Sequence, residues 1–208
     1  MSIKLTGSTS GSIEVDVPAA VSGGDISLTL PNGVGSANQY LANGSTAGEL
    51  TFVTPPGSFT SYAIICDQKA ESTNGGTFTS GAWRTRDLNT EIADPDSIVS
   101  ISSNQFTLGA GSYFIESSAP AYDVGRHQTR LYNATTSSVV QAGTNAFASL
   151  GDKIYNSSII LARVTITSNT AFEIQHRSVH SGTSNGFGVN TTFGEVCIYT
   201  VVKIFKEA

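Results

Sequence analysis

Three histidines, two cysteines and one tryptophan are the side chains of this 208-residue sequence with the most obvious chemistry. His176 and His180 are spaced i, i+4, which suits a zinc ion on a helix. On a strand the same residues share a face about 13 Å apart, too far for one ion. One histidine from each of several subunits could still ring a metal on a symmetry axis; the simpler reading is solvated or receptor-facing imidazoles. The closest carboxylates, Asp94-Pro95-Asp96, sit around a proline and read as a turn, not as a pair facing across a cleft. No Gly-x-Ser-x-Gly elbow occurs. The chain therefore reads as a non-enzyme, with no cofactor and no dedicated metal site. Cys66 and Cys197 are too few for a disulfide scaffold. Buried thiols are the default, and a bridge between the first and last strands of the body is the alternative. Trp83 is either a core or interface residue or a platform for a sugar ring, and Arg84 and Arg86 mark a polar face opposite it.

Two stretches mix glycine, an aromatic and hydrogen-bonding groups in a way that suits ligand-binding loops. These are Ala121-Tyr-Asp-Val-Gly-Arg-His127 and Ser184-Asn-Gly-Phe-Gly-Val-Asn190. They nominate Tyr122, Asp123, Arg126, His127, Asn185, Phe187 and Asn190 as receptor-binding candidates, with His180 beside them. Plain strand connections are the competing reading.

The elements that must position these residues are strands. Charged residues are only 13% of the chain, while Ser and Thr number 52 and Gly 21. Straight-chain helix formers are scarce, so strands and turns dominate. Period-2 alternation predicts strands at 61–68, 81–88, 97–101, 105–108, 112–117, 127–133, 138–142, 158–168, 170–180 and 195–205. Short strands separated by Gly/Asn/Ser/Thr turns indicate a sandwich or jelly roll. The last strand, VCIYTVVKIF, is apolar on both faces in part, as expected of a strand covered by a sheet on one side and a subunit on the other.

Ahead of this body lies a repeat. Ile13-x-Val15-x-Val17-Pro18-x-x-Val21 recurs thirteen residues later as Ile26-x-Leu28-x-Leu30-Pro31-x-x-Val34, and a weaker copy follows at Leu50-x-Phe52-x-Thr54-Pro55. Each copy is a short alternating strand stopped by proline. Roughly eight medium apolar side chains do not offset the entropy of ordering about 45 residues. The segment is expected to need other chains, and symmetric self-association is the simplest source of them. A Gly/Ser linker is the other reading. Pro55-Pro56-Gly57 marks a boundary, giving a repetitive β stalk or attachment segment over 1–57 and a body over 58–208.

The net charge is −5 and the 11 basic residues are scattered, so no nucleic-acid partner is expected. The first residues, MSIKLTGSTSGS, lack the apolar region of a secretory signal, and no apolar run approaches the ~20 residues of a membrane span. Synthesis in a cytoplasm without membrane insertion is the expectation.

The body resembles the C1q/tumour-necrosis-factor-like jelly roll. The resemblance rests on NQFTLGAGSYFIESSAP, where Phe106, Gly111 and Tyr113 take the form Phe-x4-Gly-x-Tyr, with Ile115 where the family has an aromatic. It covers roughly 59–206 and implies an all-β, homotrimeric fold with aromatic and aliphatic side chains along the axis. The N-terminal segment is similar to repeats in tail-fibre and structural proteins of marine tailed phages. The matching residues are Leu30-Pro-Asn-Gly, Ala37-Asn-Gln-Tyr-Leu41, Gly44 and Glu49-Leu-Thr-Phe-Val53, together with GAWRTRDLNTEI and HQTRLYN in the head. Together these imply a bacteriophage virion fibre: a trimeric knob binding a host surface glycan or outer-membrane protein, joined through residues 1–57 to other tail or capsid proteins. A non-adhesive head-fibre or capsid-decoration protein is the alternative.

Overall fold

A computed structural model describes residues 28–37, 39–46, 48–55 and 59–208, and the backbone of two further strands at 3–6 and 12–15. The chain divides into two compact units, Met1–Pro56 and Gly57–Ala208.

In the first unit, β1 (Ile3–Thr6) pairs antiparallel with β2 (Ser12–Val15), and β3 (Tyr40–Asn43) forms a hairpin with β4 (Leu50–Val53). Neither β1 nor β3 is anticipated by the alternation. The second and third copies of the repeat meet directly. Thr29 bridges Glu49 in parallel, its N–H donating to Gly48 O at 2.8 Å while Leu50 N–H donates to Thr29 O at 2.9 Å. Leu28 and Leu30 remain 61% and 67% exposed, so this pairing leaves their apolar faces uncovered. Val17, Pro18, Val21, Ile26, Asn38, Pro56 and Gly57 lie outside the described residues.

The second unit is a sandwich of two antiparallel sheets. β13 (Tyr155–Ile166), β10 (Gly111–Tyr122), β15 (Cys197–Glu207), β5 (Phe59–Lys69) and β7 (Thr90–Ala93) form one sheet in that order. β12 (Ser138–Ala148), β11 (Gly125–Asn133), β14 (Thr170–Ser178), β9 (Gln105–Leu108) and β8 (Val99–Ser102) form the other, with the short β6 (Arg84–Thr85) paired to β14. The chain crosses between sheets after β5, β6, β7, β9, β10, β12, β13 and β14, which is the wiring of a jelly roll. Among the described residues there is no helix, and so none long and apolar enough to cross a membrane.

Alternation sets the core. Tyr113, Ile115 and Ala119 on β10, Ile160, Ala162 and Val164 on β13, and Val202 and Ile204 on β15 point inward. They meet Phe106, Leu108, Leu131, Phe172 and Ile174 from the opposing sheet. Phe106 and Phe172 stack with centroids 5.7 Å apart, and the Tyr113 hydroxyl donates to Gly109 O at 3.0 Å. A buried hydroxyl pair, Thr129 and Ser158 at 2.7 Å, links the two layers. Both cysteines are buried and free; Cys66 sits opposite Val201 and Cys197 opposite Lys69.

Several boundaries differ from the alternation. The expected strand at 81–88 shrinks to Arg84–Thr85, because Arg86 leaves the sheet surface for the interior. Thr90–Ala93 pairs with β5 without a clear period-2 signal. β10 runs on to Tyr122, so the first nominated loop is mostly strand. Asp94 caps its turn as anticipated, accepting from the N–H groups of Ile98 and Val99 at 2.9 Å each.

Candidate functional site

The connection from β10 to β11 is only Asp123–Val124, with Asp123 at φ 54° and Gly125 at φ 70°. So tight a crossover places Tyr122, Asp123 and Arg126 at one end of the sandwich. The long β14–β15 connection folds against it: Tyr122 N–H donates to Gly186 O at 3.1 Å and His180 N–H to Val124 O at 3.1 Å. The segment after β5 covers the same end, Phe78 and Gly182 exchanging two backbone hydrogen bonds of 2.9 Å. Tyr122, Asp123, Arg126, His180 and Asn185 are thus brought together. Asn190 lies further along the same connection, where its N–H and side-chain amide both donate to Asn74 Oδ1, at 3.0 and 2.8 Å. It helps line a cavity of about 400 Å³ with Tyr155, Cys197, Ile198 and Tyr199.

Two of the nominated residues are not on the surface. Phe187 is buried against Phe78, with centroids 4.5 Å apart, in a small core with Ala121, Val124 and Ala148. Its loop is glycine-rich because the backbone passes close to neighbours, not because the aromatic is offered to a ligand. His127 is also buried; β11 alternates, and its odd-numbered residues His127, Thr129 and Leu131 face inward. His176, expected in solvent, is fully buried for the same reason, and only His180, beyond the end of β14, is exposed.

His127 and His176 form a hydrogen-bonded pair, Nδ1 to Nε2 at 2.9 Å, so one nitrogen donates and the other accepts. The remaining ring nitrogens, His127 Nε2 and His176 Nδ1, are buried without a partner. Burial, reinforced by the nearby Arg86 cation, pushes His127 down to about 4 and His176 well below its usual value. Both are neutral at pH 7.

Arg86 is fully buried, correcting the expectation of a polar strand face. Its Nε donates to Thr200 Oγ1 at 2.8 Å, Nη1 to Pro120 O at 3.1 Å and Nη2 to Phe187 O at 2.9 Å. The guanidinium also lies 4.0 Å from the Phe187 ring centroid. Burial lowers its pKa to about 10, so it stays charged at neutral pH. One side chain therefore ties β10, β15 and the β14–β15 connection into a rigid end.

The outward face of β11, β12 and β14 carries the second grouping. Register places Asn145, Gln128 and Arg177 in one cross-strand row, and Phe147 and Arg126 in the next. Trp83, half-buried and outside the core, leans over this face; the Arg130 guanidinium lies 4.2 Å from its ring and 5.1 Å from that of Tyr132. Trp83, Arg126, Gln128, Asn145, Arg177 and Val179 line a cavity of about 540 Å³. Sequence reasoning nominated Arg126 and noted Trp83 but missed Arg177, Gln128 and Asn145. Their period-2 spacing on three strands was the available signal, and it becomes a site only through register.

The five-stranded sheet presents a different outward face. Tyr62, Phe205, Phe114 and Arg163 form one row across four strands, and Ile64, Lys203, Glu116 and Leu161 the next. Phe59 packs on Phe205 at 5.1 Å, while Tyr62, Ile159 and Leu161 are 45%, 41% and 58% exposed.

No protein-family model matches the chain, and no curated protein matches it in sequence. Solved structures similar to it include the Eiger TNF from S. frugiperda, at 9% identity, covering 71% of this chain and 92% of that one with a TM-score of 0.48. The PRD1 vertex protein P5 is 13% identical over 73% of this chain and all of that one, with a TM-score of 0.47. The globular domain of zebrafish complement 1qA protein is 14% identical over 72% and 97%, with a TM-score of 0.44. Each is what this chain is similar to; the sheet order and crossovers described above make Gly57–Ala208 an all-β jelly-roll sandwich.

Proposed function

We propose that this protein is a bacteriophage virion fibre protein whose C-terminal unit is a homotrimeric, host-binding knob. The observation that carries the reading is the outward face of the five-stranded sheet. A continuous row of aromatics flanked by exposed Ile159 and Leu161 is costly to leave in water, and such a patch marks an interface. Three copies closing about an axis bury it without leaving a free edge. This packing would leave the six-stranded sheet and the loop end outward, where three weak sites act together on a surface.

The uncovered Leu28, Leu30 and Val34 support the same scheme for residues 1–57: a β stalk completed by partner chains and joined to tail or capsid proteins. The loop end, with Tyr122, Asp123, Arg126, His180, Asn185 and Asn190, is the receptor-facing part in this reading; Phe187 and His127 support it from beneath. The knob acts by binding and has no catalytic role.

Light scattering on the purified chain tests assembly, with three chains expected, and adsorption to susceptible against resistant host cells tests attachment. A stable monomer would sink the trimer. Absence of adsorption to any susceptible strain would favour a head-fibre or decoration role.

A further inference from the structure

We infer that the cavity on the outer face of the six-stranded sheet binds an anionic saccharide, the anion held between Arg126 and Arg177 and the sugar ring laid against Trp83. This names the receptor chemistry of the proposed knob and rests on that reading only for where the saccharide comes from.

The charge distribution is the first argument. Strands β11 and β12 hold Arg126 and Arg130 and no carboxylate at all. The one acid on β14, Glu173, is buried and engaged by the Thr85 hydroxyl at 3.1 Å and by the Gln175 amide. Arg130 is committed to Gln175 Oε1 at 2.6 Å and to the Trp83 and Tyr132 rings, and Arg84 Nε to Thr79 O at 3.1 Å. Arg126 and Arg177 differ: both are exposed, and among the described residues their guanidinium groups have neither an ion pair nor a hydrogen bond.

Register makes them diagonal neighbours, because Arg177 faces Gln128 while Arg126 lies two residues before Gln128 on the same face. Both side chains border the same cavity, where one anion could accept from either guanidinium. In a protein of net charge −5, two unpaired cations converging on one cavity form a local exception that an anion would resolve. Guanidinium pairs suit carboxylate and phosphate oxygens through parallel N–H donors.

The second argument is the rest of the lining. The Trp83 ring is held in place by Arg130, which is itself fixed by Tyr132 and Gln175, so the aromatic face is positioned before a ligand arrives. Val179 and Ala146 add apolar surface, and the Asn145 amide supplies a donor and an acceptor. A ring with an apolar C–H face, several hydroxyls and one negative group matches that combination. A cavity of about 540 Å³ suits one or two such units.

The test uses calorimetric titration of the full chain with uronate- and sialate-containing oligosaccharides, their carboxyl-reduced counterparts and sugar phosphates. Binding of acidic sugars at least tenfold tighter than the reduced ones is expected. Arg126→Gln/Arg177→Gln should abolish that preference, since neither side chain has a structural partner. Preference for the sugar phosphates that is lost in the same variant would also support the site and identify the anion as phosphate. Equal binding of acidic and reduced sugars, indifference to the double substitution, or no binding of any oligosaccharide would overturn it. Host adsorption measured in parallel separates the two readings: adsorption by an unsubstituted protein that binds no saccharide removes this site and leaves the knob standing. Loss of adsorption by the unsubstituted protein counts against the knob itself.

Discussion

The buried His127–His176 pair makes stability fall in mild acid. Both imidazoles are neutral in the fold, and burial holds His127 at about 4 against an unfolded value of about 6.5. Below pH 6.5 the unfolded chain takes up a proton that the folded chain refuses, so stability decreases with pH until the folded pKa is reached. Between pH 7.5 and 5 this amounts to about 2 kcal/mol for His127 alone, and His176 acts in the same direction. The first proton can be shared across the 2.9 Å contact; a second would leave two donors facing each other beside the Arg86 cation. Asp67 works oppositely, since burial raises its carboxyl and acid discharges it. The assay is urea unfolding followed by the fluorescence of Trp83, the single tryptophan, at fixed protein concentration so that assembly does not shift the midpoint. A midpoint about 1 M lower at pH 5 is expected from an m-value of about 2 kcal/mol/M. His127→Gln/His176→Gln removes both titrating groups and should flatten the dependence, whatever its effect at pH 7.5. An identical acid loss in that variant, or none in the unsubstituted protein, refutes the assignment.

Arg86→Met strands the acceptors on Thr200, Pro120 and Phe187, and thermal melting should register a loss of about 3–5 kcal/mol. Gly188→Ala should lower the melting temperature by several degrees, because Gly188 has φ 143° and an added methyl would strike the Tyr199 ring. Phe205→Glu places a charge in the middle of the aromatic row, and sedimentation should show a smaller species with a native-like circular dichroism spectrum. Removing residues 1–57 should leave a knob that still assembles, as measured by light scattering.

Local patterning carried much of the fold. Alternation in GSYFIESSAP, HQTRLYN and TAFEIQHRS marks β10, β11 and β14 and their buried faces, because one inward face per strand imposes period 2. The second copy of the 13-residue repeat forms only a single bridge at Thr29 in place of the expected strand, and Leu28 and Leu30 beside it stay exposed. Composition and spacing gave no hint of which polar residues would be internal. Arg86, His127 and His176 are hydrophilic by type, and their burial depends on acceptors and rings delivered from β10, β15 and the β14–β15 connection. Phe187 reads as exposed among glycines, yet Phe78, more than a hundred residues earlier, covers it. The grouping of Trp83, Arg126 and Arg177 is equally non-local, arising from the pairing of β11 with β14 and a loop laid over them. The sequence by itself determined strand and inward face, since these follow from short-range periodicity. Tertiary structure alone decided which cations are buried and which are left free, since that depends on register and crossovers between residues distant in the chain.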